Sequence, residues 1–174
     1  MSAVAVLVAV SGQQAYATSE VIVNPNTCIG LGGSWDDSTC TVIDYVNDGI
    51  IRVPDDATLK IIGKFENNGV IIIDDRATVT VNGWGTSANG KMINDGVIDN
   101  NGTLECKRCA FFNNNTVVNS GYLYNNFKIR NNDTIYNMGL VHNNGEVLNK
   151  ENFFSCLGMV TGNLISENTP VEIC

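Results

Sequence analysis

Residues 117–155 read VVNSGY LYNNFK IRNNDT IYNMGL VHNNGE VLNKEN FFS, and the spacing marks a repeat of six. Val117, Leu123, Ile129, Ile135, Val141, Val147 and Phe153 form one apolar series. Two places after them stand Asn119, Asn125, Asn131, Asn137, Asn143 and Asn149, then Ser155. Four places after them glycine is frequent but not fixed: Gly121, Phe127, Asp133, Gly139, Gly145 and Glu151. A period of six fits neither a helix of 3.6 residues per turn nor a long flat strand. It fits a short strand and a corner, repeated.

Three units close a coil of about 18 residues, the logic of a parallel β-solenoid. Spacing by that coil places Val117 over Ile135 over Phe153, Leu123 over Val141, and Ile129 over Val147. It also places Asn119 over Asn137, Asn125 over Asn143, and Asn131 over Asn149. Apolar columns stay apolar, and stacked amides are free to bond along the stack. Asn and Gly tolerate the left-handed backbone of tight corners. A disordered Asn-rich tract would not keep an aliphatic residue at a fixed step.

The register begins earlier, at Met92, Ile98 and Leu104, with Asn94 and Asn100 two places on and Cys106 where the next asparagine belongs. A one-residue insertion is read between Ala110 and Thr116. Such a slip marks a bulge or a widened corner. From Thr41 to Gly90 the units are longer. Thr58-Leu59-Lys60-Ile61 resembles Thr78-Val79-Thr80-Val81, twenty residues on, and both alternate like half-buried strands. Pro54-Asp55-Asp56 and Asp74-Asp75-Arg76 precede them as corners. The expected architecture is all-β, a parallel β-helix or β-solenoid of about five or six coils with disulfide-stapled caps. At about 4.8 Å per coil it stands roughly 25 to 30 Å tall.

The expected organisation has four parts. Residues 1–17 read as a secretion signal: Ala3 to Val10 is apolar, and Ala15-Tyr16-Ala17 is a small-x-small cleavage site. If retained, the segment reads instead as a strand donated to a neighbouring subunit. Residues 18–41 form an N-terminal strand, Ser19 to Val23, then a disulfide-closed cap; 42–155 form the solenoid; 156–174 close it. Asn24-Pro25-Asn26 is read as a break. Solenoid ends need covering because an open coil presents unpaired strand edges. Trp35, in the Gly-rich cap, reads either as part of that cover or as a sugar-stacking platform.

Six cysteines in a chain read as secreted suggest disulfides, nearest neighbours being Cys28 with Cys40, Cys106 with Cys109, and Cys156 with Cys174. Cys106-Lys107-Arg108-Cys109 also has the spacing of a redox or half-zinc motif. The lone histidine, His142, is far away in sequence, so no metal site is read, and no cofactor motif either. Sequons occur at Asn101, Asn114 and Asn132, the last at an expected solvent-facing corner.

The net charge is −8, which argues against nucleic acid as a partner. The apolar runs are too short to span a bilayer. The Ala15-Tyr16-Ala17 leader, the Cys28 to Cys40 Gly-Trp loop, the Val53-Pro54-Asp55-Asp56-Ala57-Thr58-Leu59 strand and the Asn-x-Gly-x-apolar units together resemble secreted Asn/Gly-repeat solenoids of prokaryotic, notably archaeal, cell surfaces. The resemblance implies an extracellular role as coat, adhesin or fibre subunit, and no catalytic residues.

Three functions are weighed. A non-enzymatic cell-surface or self-assembling fibre subunit would associate through solenoid ends, the N-terminal segment or a lateral face. Residues just after the apolar series should point outward; Val118, Tyr136 and Phe154 then share one column, and Tyr124 and His142 another, as candidate interface. A glycan-binding adhesin would use Tyr122, Tyr124, Tyr136 or Trp35 for stacking. A polysaccharide-active enzyme would need paired carboxylates or an acid–base pair, and Asp74, Asp75 and Arg76 are the compact candidate.

Overall fold

The computed structural model describes residues 19–84, 89–162 and 172–173 of the chain. The polypeptide winds as a β-solenoid of about six turns. Before the first turn lie β1 (Glu20–Ile22), α1 (Pro25–Gly30) and β2 (Ser34–Asp36). The first two turns hold β3 (Thr39–Asn47) with β4 (Ile50–Val53), and β5 (Thr58–Asn67) with β6 (Val70–Ile73). Each later turn holds three strands. These are β7 (Thr78–Asn82), β8 (Gly90–Asn94) and β9 (Val97–Asn100), then β10 (Thr103–Lys107), β11 (Cys109–Asn113) and β12 (Thr116–Asn119). Next come β13 (Tyr122–Asn125), β14 (Lys128–Asn131) and β15 (Thr134–Asn137), then β16 (Leu140–Asn143), β17 (Glu146–Asn149) and β18 (Phe153–Ser155). A further turn begins with β19 (Met159–Gly162), and β20 (Glu172–Ile173) pairs with β18.

Strands β1, β4, β6, β9, β12, β15, β18 and β20 form one sheet, here face A. The other sheet has twelve strands and bends along a corner. The front half of β5 pairs with β7 and the rear half with β8, so the sheet divides into face B (β7, β10, β13, β16, β19) and face C (β8, β11, β14, β17). The bend in β3 and β5 is made by Asp44 (φ 42°) and Gly63 (φ 100°). Asp44 Oδ1 accepts from the Lys64 backbone N–H at 2.7 Å. A Cβ on Gly63 would lie 2.1 Å from that same oxygen, so only glycine fits there.

Alternation along each strand sends one residue in and the next out. Ile51, Ile71, Ile98, Val117, Ile135 and Phe153 stack inside face A, and Leu59, Val79, Leu104, Leu123 and Val141 inside face B. Every one is essentially fully buried. The columns expected by spacing are therefore the core.

The asparagines form buried ladders at the corners. The longest runs along the end of face C. Asn47 Nδ2 donates to Asn67 Oδ1 (2.7 Å), Asn67 to Asn94 (2.8 Å), Asn94 to Asn113 (2.8 Å), Asn113 to Asn131 (2.7 Å) and Asn131 to Asn149 (2.8 Å). A second ladder joins Asn100, Asn119 and Asn137 to Ser155, at 2.6, 2.7 and 3.2 Å. Asn125 and Asn143 meet at the third corner, 2.6 Å apart. Every ladder amide but Asn125 also reaches a nearby backbone carbonyl, as Asn94 does to Thr116 (3.1 Å) and Asn100 to Tyr122 (3.1 Å). Buried amides demand such satisfaction. The Asn100 carbonyl oxygen finds no partner among the described residues, because its column continues upward as Ile73.

Three expectations are corrected and one open alternative is decided. The extra residue expected at 110–116 lies instead within the Cys106–Cys109 loop. There the offset between stacked strands changes from Cys106↔Asn125 to Ala110↔Lys128, while Phe111 and Asn113 keep the regular register. Asn24 opens a helix rather than breaking the chain: its side chain accepts from the backbone of Asn26 and Thr27, and Thr27 Oγ1 accepts from the Asn24 backbone N–H, a capping box with Pro25 in the first turn. Winding also continues past 155, since β19 pairs with β16. Trp35 packs against the core from the hairpin of β2 and β3, as cover and not as an open platform. Residues 1–17, with the signal or donated-strand reading, lie outside the described residues, as do 163–171 and Cys174.

Candidate functional site

Cys28 and Cys40 are disulfide-bonded and fully buried, tying α1 to the first turn. Cys106 and Cys109 form the second disulfide, at the corner between faces B and C, with Arg108 at φ 54° between them. Their sulfurs are thus committed to each other, not to a metal. Cys156 is disulfide-bonded too; its expected partner, Cys174, lies outside the described residues. No cluster of three or more metal-ligating side chains occurs among the described residues.

Of the sequon asparagines, Asn101 and Asn114 are exposed. Asn132 is half-buried, accepting from Arg130 Nε (3.1 Å) and donating to Asn114 Oδ1 (2.7 Å). Arg76 ion-pairs with Asp56 (2.9 Å) and Asp55 (3.3 Å) of the preceding corner. The guanidinium hydrogen bonds hold the Asp56 carboxyl below its ordinary range. Asp74 lies 3.6 Å from Arg52, which also pairs with Glu20 at 3.3 Å. The acidic corners are thus cross-linked turn to turn.

The expected outward columns do point outward. On face A, Arg52, Ile72, Asp99, Val118, Tyr136 and Phe154 stack in register. Ile50, Val70, Val97, Thr116 and Thr134 stack beside them. The Tyr136 and Phe154 rings are 5.3 Å apart and 14° from parallel, and Tyr136 is 45 % exposed. A shallow depression of about 490 Å³ opens here, lined by Thr116, Val118, Thr134, Tyr136, Met138 and Cys156 among others. Asp99 sits half-buried in this face, and burial pushes its carboxyl above the usual range, the nearby Arg52 notwithstanding.

On face B, the Tyr124 and His142 rings are 5.4 Å apart and 1° from parallel, and Tyr122 lies 5.9 Å from Tyr124 at 17°. His142 Nδ1 meets Thr161 Oγ1 at 2.7 Å. The Tyr124 hydroxyl donates to Asn126 Oδ1 and accepts from Asn144 Nδ2. Burial first, then the neighbouring Tyr124, raises the Tyr122 hydroxyl's pKa.

Face B also holds a basic depression of about 440 Å³ that the sequence did not reveal. Lys60, Lys107 and Arg108 line it, with Asn82, Asn126, Ile62 and Gly83. Lys107 and Arg108 are neighbours in the chain, but Lys60 comes from two turns earlier, which is why no run of the sequence shows all three together. Trp84, next to Gly83, is 46 % exposed. The signal for it was present: an aromatic just past the end of β7. No helix among the described residues is long and apolar enough to cross a membrane. Set against protein-family models, curated proteins and solved structures, the chain matches none.

Proposed function

We propose that the protein is a non-enzymatic structural subunit of a cell surface, and that it self-associates laterally through face A. The carrying observation is the outward column of Ile72, Val118, Tyr136 and Phe154, flanked by Val70 and Val97. At about 4.8 Å per turn this apolar strip runs some 20 Å along a flat sheet. Strips of that extent on a sheet face mark contact surfaces. The occupant is a second copy, because the strip is complementary to itself about its own middle. A two-fold axis between the Val118 and Tyr136 rungs sets Val118 of each copy against Tyr136 of the other, within the apolar strip.

Lateral association fits this molecule better than head-to-tail growth at its N-terminal end. There α1 and the antiparallel β2 cover the face B edge of the first turn. Two buried disulfides and continuous amide ladders suit an extracellular scaffold that must hold its shape.

Sedimentation velocity over a concentration series tests the reading. Wild type should sediment as a dimer or larger species, and Val118→Glu and Tyr136→Glu as monomers with unchanged far-UV circular dichroism. A monomeric wild type at the highest concentration would sink the proposal.

A further inference from the structure

We propose that face B carries a binding site for an acidic carbohydrate, in which Lys60, Lys107 and Arg108 receive a carboxylate or sulfate and the row of Tyr124 and His142 packs against an adjoining sugar. The site lies on a different face from the self-association surface and does not depend on it.

Charge placement is the first observation. The chain has 18 acidic residues against 10 Lys and Arg, for a net charge of −8. Three of those cations nevertheless line one depression whose wall contains no carboxylate. Lys107 Nζ does pair with Glu105 at 2.8 Å, and Glu105 accepts from Thr80 Oγ1 at 3.1 Å. Lys60 makes no ion pair among the described residues. An acidic surface repels anions, so a local positive potential on it is where they collect.

Preorganisation is the second. Arg108 sits in the left-handed region between two disulfide-bonded cysteines, and the flanking backbone is pinned. Gly83 N–H donates to Lys107 O (3.3 Å) and Gly90 N–H to Arg108 O (3.2 Å). Asn82 and Lys107 are register partners on adjacent strands, and Lys60 belongs to the turn above Asn82. With two strand spacings and two residues of rise between Lys60 and Lys107, their Cα atoms are roughly 12 Å apart. That span admits one or two pyranose rings between the ammonium groups. Asn126 Oδ1 is engaged by Tyr124 and Asn144, but its Nδ2 has no acceptor among the described residues and so remains a donor on the cavity wall.

The aromatic row is the third. Asn126 belongs both to the cavity wall and to the Tyr124 hydroxyl, so cavity and rings are contiguous. Two rings 5.4 Å apart and parallel are too close to lie side by side in one plane; they stand up from the sheet as plates. Standing on edge, they offer ring edges to a sugar and, at Tyr122 and Tyr124, hydroxyl groups to its oxygens. A cation cluster with donor amides and an aromatic wall is the recognition set of an acidic saccharide.

The test is calorimetric titration of the full chain with four probes at fixed salt: an oligouronate, a sulfated dextran, neutral dextran and polyphosphate. Binding of the uronate or the sulfated glycan, with none of neutral dextran and weaker binding of polyphosphate, is expected, and which of the two binds separates carboxylate from sulfate recognition. The double variant Lys60→Gln/Lys107→Gln should lose about tenfold or more in affinity, and Tyr124→Ala several-fold, with unchanged circular dichroism. Tyr136→Glu, on face A, should bind like wild type. The proposal is overturned if neither acidic glycan binds, if polyphosphate binds as tightly, if the double variant keeps wild-type affinity, or if Tyr136→Glu loses as much.

Discussion

Asn94→Ala cuts the longest ladder near its middle, and the structure sets the size of the effect. The Asn94 amide accepts from Asn67 and donates to Asn113 and to Thr116 O. Loss of those bonds costs about 1 kcal/mol each, net of solvation. The Asn113 carbonyl oxygen then loses its ladder donor at a fully buried site, which adds about 1–3 kcal/mol. The expected total is about 3–5 kcal/mol, a large fraction of the ~5–15 kcal/mol typical of a domain. Asn47, at the ladder's upper end among the described residues, donates to Asn67 and to Val70 O but accepts from no ladder amide there, so Asn47→Ala should cost about 1 kcal/mol less. Asn144→Ala, on the exposed outside, should cost less than about 0.5 kcal/mol. Urea titrations followed by far-UV circular dichroism read all three. The m-value is informative too: each turn touches only its neighbours, so a break in the middle should also broaden the transition. If Asn94→Ala costs no more than Asn144→Ala, the ladder is ornament to the core packing and the reasoning fails.

Gly96→Ala should destabilise by about 3 kcal/mol or more, because its new Cβ would stand 2.0 Å from Gly69 O of the turn above; Gly30→Ala, with nothing within 4 Å, should be neutral or stabilise by up to about 1 kcal/mol, both read as urea midpoints. Replacing Cys28 and Cys40 together by Ser removes a cross-link between residues 12 apart and should cost about 2–4 kcal/mol in the same assay. Stability against pH separates two carboxylates of opposite sign. Asp56, held low by Arg76, contributes stability above the ordinary carboxylate range that is lost as pH falls through its lowered folded value, and Asp56→Asn removes that acid-side loss. Asp99, raised by burial, costs stability above its raised folded value, a cost relieved as pH falls through it; Asp99→Asn should therefore stabilise the monomeric Tyr136→Glu background at neutral pH and not in acid. A flat difference curve for either variant would contradict its assignment.

The later turns were legible because three hexads per turn leave every inward residue and every corner asparagine at one spacing. The first two turns were not read as part of the ladder, although Asn47-Asp48-Gly49-Ile50, Asn67-Asn68-Gly69-Val70 and Asn94-Asp95-Gly96-Val97 repeat the same corner. In those turns β3 and β5 run unbroken round the corner between faces B and C, and two of three asparagine positions are taken by apolar residues such as Ile61 and Val53, so the hexad vanishes. The cysteine slip was misplaced by a few residues because Phe111 and Asn113 look like the middle of an insertion until Phe111 is paired with Ile129. The outward columns followed from simple alternation. The basic depression did not, since Lys60 meets Lys107 and Arg108 only once the stacking offsets of 20 and 25 residues are known. The helix at Pro25 was written in its capping residues, which were read only as a break.

A ladder whose members each offer an identical donor below and acceptor above makes molecular length an editable quantity. Excision of residues 120–137 would join Asn119 to Met138, a junction of the same kind as Asn119 to Ser120. Val117 would then rest on Phe153, Leu104 on Val141, Phe111 on Val147, and Asn113 on Asn149. Deletion or duplication of 18-residue blocks thus lets such a gene lengthen or shorten its product in whole storeys, with every strand kept and every inward side chain still inward.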